Sequence, residues 1–86
     1  MPEISRFFGI VIRMYFDDHP PPHFHAEYGG ERVKIDIESL KIITGSINLR
    51  AYRLAAEWAG LHQNELRENW NRLTRSEPAA RISPLE

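Results

Sequence analysis

The chemically dense stretch of this chain is Asp17-Asp18-His19-Pro20-Pro21-Pro22-His23-Phe24-His25-Ala26-Glu27-Tyr28, which holds three of its four histidines. Imidazoles and carboxylates at this density support three kinds of chemistry. The first is a metal site. His23 and His25 stand two residues apart, so on a strand they share a face, and with Glu27 as a third ligand they suit zinc or another divalent ion. Asp17, Asp18 or His19 are the alternative completions of that shell, and water in a remaining position would make it catalytic. The second is metal-free acid–base work on a phosphodiester. There, histidines exchange protons with substrate near pH 7 and Lys34 or Arg13 meets the charge that develops at phosphorus. In either enzymatic reading His19, His23 and His25 are the catalytic candidates. The third is structural: imidazole–carboxylate pairs across an exposed sheet contribute about 0.2–1 kcal/mol each, and His19 caps a turn that the prolines fix.

Which of these applies depends on which way the histidines face, and the surrounding elements decide that. Residues 7–16 are rich in β-formers with apolar side chains at every even position, which predicts a first strand. Three consecutive prolines end it by removing amide donors and imposing an extended path. Strands are expected at 23–29 and 31–37, joined by Gly29-Gly30, because both positions of a type I′ turn need positive φ. A short fourth strand is expected at 41–44. From residue 48 to 75 the period becomes 3.6, with Asn48 or Ser46 as N-cap. Ala51, Ala55, Trp58, Ala59, His62, Leu66, Trp70 and Leu73 fall on one side of this helix, and Arg50, Arg53, Glu57, Glu68, Arg72 and Arg75 on the other. Such a helix is about 40 Å long, and Gly60 marks a candidate bend. Residues 77–86 read as a flexible tail, with Ile82 and Leu85 as its only anchors; Leu54 and Leu61 would receive them or mark a contact with another chain.

The expected fold is α+β, a single domain over residues 1–86: a three- to four-stranded antiparallel β-meander packed on one face by a long C-terminal α-helix. By alternation along the strand expected at 23–29, Phe24, Ala26 and Tyr28 turn under the helix. His23, His25 and Glu27 then stand on the open face beside Arg13, Tyr15, Lys34 and Asp36. His62 lies mid-stripe on the helix and reads as a core histidine, and Trp58 and Trp70 as core or edge aromatics.

Composition narrows the function classes. The chain has 86 residues, 42% hydrophobic and 27% charged, with a formal net charge of −1 and no cysteine. These values suit an ordinary globule rather than a disordered chain or a generally basic nucleic-acid binder. No apolar run reaches 18 residues, so no membrane-spanning helix is expected, and the opening Met1-Pro2-Glu3-Ile4-Ser5-Arg6 lacks the pattern of a signal peptide. Disulfides, thiolate catalysis and cysteine zinc sites are excluded, and a reducing, cytoplasmic setting is expected.

Ser5-Arg6-Phe7-Phe8-Gly9-Ile10, Ile12-Arg13-Met14, the Asp17-to-Ala26 segment and Ala56 to His62 together resemble a small bacterial family. It is catalogued as a domain of unknown function and carries a His-x-Pro-Pro-His-x-His signature, matched here by His19, Pro21, Pro22, His23 and His25. The resemblance implies a gene neighbour, a second small protein, in a toxin–antitoxin-like pair. The sequence is therefore read as a small intracellular interaction protein whose contact site comprises Arg13, Tyr15, Asp17, Asp18, His19, Pro21, Pro22, His23, His25, Glu27 and Lys34. The expected partner is the small companion protein, with a homodimer as a second arrangement. The alternative is a histidine-dependent ribonuclease or metal-assisted hydrolase, with RNA as a partner only in that case and zinc at His23 and His25 as the cofactor.

Overall fold

The computed structural model describes residues 3–86, and Met1 and Pro2 of the opening stretch lie outside the described residues. Five strands, β1 (Glu3–Phe7), β2 (Ile10–Arg13), β3 (His23–Tyr28), β4 (Glu31–Asp36) and β5 (Ile42–Ser46), precede two helices, α1 (Leu49–Leu61) and α2 (Gln63–Thr74). The strands form one antiparallel sheet in sequential order, β1-β2-β3-β4-β5. The α+β class and the meander are as expected; the strand count and the single helix are not.

The expected strand over 7–16 is instead a hairpin. Phe8 and Gly9 both take positive φ, 50° and 80°, and Phe7 pairs with Ile10 across them. A two-residue turn of this hand matches the twist of the flanking strands, and phenylalanine at a position that asparagine or glycine usually fills hides it in the sequence. Phe8 and Phe16 are consequently exposed, whereas Met14 is fully buried. Gly29 and Gly30 form the same kind of turn between β3 and β4, with φ of 57° and 83°, as their sequence predicts.

The expected helix over 48–75 is two helices. Asn48 caps the first by accepting from the Ala51 N–H at 3.1 Å. His62, at φ −129° and ψ 25°, leaves helical geometry; its N–H turns back to the Ala59 carbonyl, and its own carbonyl starts α2 by accepting from Leu66. The break falls two residues after Gly60. His62 is therefore not a core histidine but the corner between helices, half-buried, against the Trp58 ring at 5.5 Å and paired with Glu65.

One face of the sheet supplies Ile4, Phe7, Ile10, Ile12, Phe24, Ala26, Val33 and Ile35 to the core, and the helices supply Ala51, Ala55, Trp58, Ala59, Leu66 and Leu73. Trp58 is the centre of this layer. Its ring lies 5.4 Å from that of Phe7 and 5.9 Å, nearly edge-on, from that of Phe24. Tail residues 77–86, expected to be flexible, are docked instead. Ile82 donates its N–H to the Ile4 carbonyl and is buried, Trp58 Nε1 donates to the Ser83 carbonyl at 2.7 Å, and Leu85 packs on the core. Buried Asn69 holds Ala80 at both ends, donating to its carbonyl and accepting from its N–H at 2.8 Å each.

Asn69→Ala removes both of these bonds at a fully buried position. The expected loss of stability in urea denaturation is about 1–2 kcal/mol, and a loss below about 0.3 kcal/mol would show that the tail is not held through Asn69.

Candidate metal centre

β3 places the histidines by alternation. Phe24 and Ala26 are fully buried on the helix side, so His25 and Glu27 occupy the opposite face, both half-buried. His25 stands in a cross-strand row, with Arg13 of β2 on one side, Lys34 of β4 on the other, and Thr44 of β5 beyond. Cross-strand neighbours of this kind have Cβ atoms about 5 Å apart, within reach of one another's side chains. The Tyr15 ring meets the His25 ring edge-on at 4.8 Å.

Residues 15–22 fold back over the start of β3. Met14 anchors the loop in the core, the Tyr15 N–H points to Asp18 Oδ2 at 3.4 Å, and the Pro22 carbonyl accepts from Ile37. The peptide bond between Pro20 and Pro21 is cis. This path brings the Asp18 carboxylate to the two imidazoles: Oδ2 lies 3.0 Å from His25 Nε2 and 3.5 Å from His23 Nε2. One donor atom from each of Asp18, His23 and His25 lies within 4.8 Å of the others.

His23 is the unusual member. It was expected on the open face, yet it is only 3% exposed, because the proline loop and the Trp70 ring, 5.3 Å away, close over it. Its Nδ1 lies 2.7 Å from the Pro21 carbonyl. A carbonyl only accepts, so Nδ1 carries a proton and donates it. In the neutral ring Nε2 is then a lone pair, and this atom is buried without a hydrogen-bond partner. It faces a carboxylate oxygen, another acceptor, at 3.5 Å. Two acceptors aimed at each other in a buried setting need a positive charge between them, a proton or a metal ion. An Nδ1–H bound to a backbone carbonyl with Nε2 free is also how proteins orient metal-binding histidines. Burial holds the His25 imidazole below its ordinary value of 6.5, against the opposing pull of Asp18, which favours the neutral ring. Its Nε2 donates to Asp18 Oδ2 at 3.0 Å, a proton that a metal ion would displace on ligation.

The other predicted residues are elsewhere. Glu27, expected as the third ligand, is instead paired with Arg13 at 3.2 Å, because those two side chains are diagonal neighbours on the same sheet face. Arg13 Nε, the atom in this ion pair, is buried and makes no hydrogen bond among the described residues. His19 and Asp17 are exposed; they line a pocket of about 180 Å³ together with Asp18 and His23 but do not join the three-donor cluster. Asp36 turns away to accept from the N–H groups of Glu38 and Ser39 in the turn after β4. The residues that sequence reasoning undervalued are Asp18, Trp70 and Thr44. The available signal was the proline tract, which sends the preceding acidic pair back over β3; nothing local in the sequence marks Trp70 or Thr44.

A family model described as "Domain of unknown function (DUF4160)" matches residues 9–71. The chain belongs to this family. The matched stretch includes all three donors, the proline loop and α1. No curated protein and no solved structure matches the chain.

The lowered His25 value fixes a pH dependence. The unfolded chain takes up its proton near pH 6.5, before the folded chain does, so this group's contribution is level above that value and stability falls as pH drops below it. Urea denaturation from pH 8 to pH 5 should show the decline, and His25→Gln should flatten it. A wild-type curve that is level or rises across that window would contradict the burial argument.

Proposed function

We propose that this member of the DUF4160 family is a divalent-metal-binding domain, with the ion held by Asp18, His23 and His25 and metal-assisted hydrolysis as its chemistry. The observation that carries the reading is the buried His23 Nε2, which has no hydrogen-bond partner among the described residues and lies 3.5 Å from Asp18 Oδ2. The spacing agrees. Ligands about 2.0–2.1 Å from a tetrahedral zinc are about 3.3 Å apart, and Asp18 Oδ2 lies 3.0 Å and 3.5 Å from the two imidazole nitrogens. Two imidazoles and one carboxylate form the donor set of a borderline divalent ion with one or more positions open. An ion there would supply a water that ionises at about pH 7. The protein's part is to fix the His23 tautomer through Pro21, to keep His25 neutral by burial, and to exclude water from His23 with Trp70.

Isothermal titration of metal-free protein, made without a histidine tag, should show one zinc per chain with a Kd below about 10 μM. His23→Gln and Asp18→Asn should each weaken binding at least about tenfold. Glu27→Gln, which removes the ligand that the sequence favoured, should leave it nearly unchanged. The absence of binding tighter than about 10 μM, or equal losses in all three variants, would overturn the reading.

A second reading, the interaction protein of a toxin–antitoxin-like pair, is favoured by β5. Among the described residues this strand pairs only with β4, all five of its residues are exposed, and Ile42 and Ile43 are among them. A free edge of this kind accepts a partner strand, from the small companion protein or from a second copy of the chain, in the cytoplasm. Coexpressed with the companion, the wild type should copurify with it and Ile43→Pro should not. Retention of the complex by that variant would count against β5 as the contact.

A further inference from the structure

We infer that the ligand of this metal centre carries a phosphoryl group, whose oxygens are met by the Lys34 ammonium and the Thr44 hydroxyl beside the ion. This rests on the metal reading above and names the ligand class of that site.

Two pockets flank the donor cluster. One, of about 360 Å³, is lined by Tyr15, His25, Glu27, Arg32, Lys34 and Thr44 among others. The other, of about 180 Å³, contains Asp18, His23 and the proline loop on its wall. Lys34 and Thr44 line both, so they form the ridge between the lobe that presents His25 and the lobe that presents Asp18 and His23. Lys34 is also the direct cross-strand neighbour of His25, and Thr44 that of Lys34. An ion shared by the three donors would therefore sit on the sheet face that Lys34 and Thr44 also line, with an ammonium and a hydroxyl in reach of its ligand.

Charge selects an anion. The carboxylates that the sequence places around this face are largely spoken for: Glu27 by Arg13, Asp36 by the turn amides, and Asp18 by the two histidines. Among the described residues, Lys34 and Arg32 have no carboxylate within ion-pairing distance. Asp17 remains exposed beside the smaller lobe, which leaves the larger one as the more positive side. Number selects the class. A metal ion, an ammonium and a hydroxyl are three separate electrophilic or donor groups around one point, and a phosphoryl group offers three oxygens to meet them where a carboxylate offers two. The larger lobe, with the Tyr15 ring on its wall, has room for the ester substituent.

The probe is inorganic phosphate, with acetate as the comparison anion. In metal-free protein, phosphate should shift the amide signals of Lys34 and Thr44 with millimolar affinity. In cobalt-loaded protein it should bind about tenfold or more tightly, read from broadening of the phosphorus signal. Lys34→Met keeps the aliphatic stem, so it should lose that gain while binding cobalt as the wild type does, and Lys34→Arg should restore most of it. Acetate should compete weakly. Cobalt binding with no phosphate effect, or an unchanged phosphate affinity in Lys34→Met, overturns the assignment and leaves the metal centre standing. Competition by acetate equal to that by phosphate overturns the phosphoryl class. Failure of cobalt to bind, with the amide shifts still present, removes the metal centre but not the anion site.

Discussion

Phe24 seated against Trp58 is the contact on which the rest of the arrangement depends. The two rings lie 5.9 Å apart, nearly perpendicular, and neither is exposed. Two large aromatics sealed in a thin core contribute several kcal/mol by burial alone. That is a large fraction of the stability of a domain this small. Because side chains alternate along a strand, this contact fixes the register of β3, and a slip by one residue would exchange the imidazoles for Phe24 and Ala26. The chemistry of the open face thus follows from what is packed beneath it. Trp58 extends the same restraint to the tail through Ser83 and to the first hairpin through Phe7.

Over that foundation the proline loop performs a second task. A strand by itself presents His23 and His25 side by side, but it does not bring a carboxylate to both. The loop does so from its far end, with Met14 and the Pro22–Ile37 hydrogen bond as its two fixed points. It also delivers the Pro21 carbonyl that orients the His23 ring. Trp70 then excludes water from His23, which raises the cost of leaving Nε2 without a partner. The break at His62 divides the helical layer into α1, which presents Trp58, and α2, which presents Trp70.

Much of this was legible in the residues. Alternation put Phe24 inward and His25 outward, Gly29-Gly30 located a turn, and Asn48 located a helix start, because each signal is local and has a single geometric solution. The failures were of a different kind. Phe8 adopts positive φ at the tip of the first hairpin, so a continuous β-rich run concealed a reversal. Gly60 drew attention as the bend, while the corner formed two residues later, where His62 has both Trp58 and Glu65 to hold it. Glu27 was the favoured third ligand by face, yet a sequence does not show that Arg13 is its diagonal neighbour until the register of β2 against β3 is known. Asp18 acquires its place only when the loop closes. His23 shares the open face by parity and is nevertheless buried, because what covers it comes from α2, far along the chain.

The central claim is that His23 presents a neutral Nε2 lone pair to a cation shared with Asp18 and His25. Nitrogen-15 NMR of the imidazole rings at pH 7.5 reads that state directly. The account predicts that zinc leaves the His23 proton on Nδ1 and shifts the His23 and His25 Nε2 signals together, with the change complete at one zinc per chain. A doubly protonated His23 ring whose signals zinc leaves in place would mean that a proton balances the Asp18 charge, and it would contradict the claim.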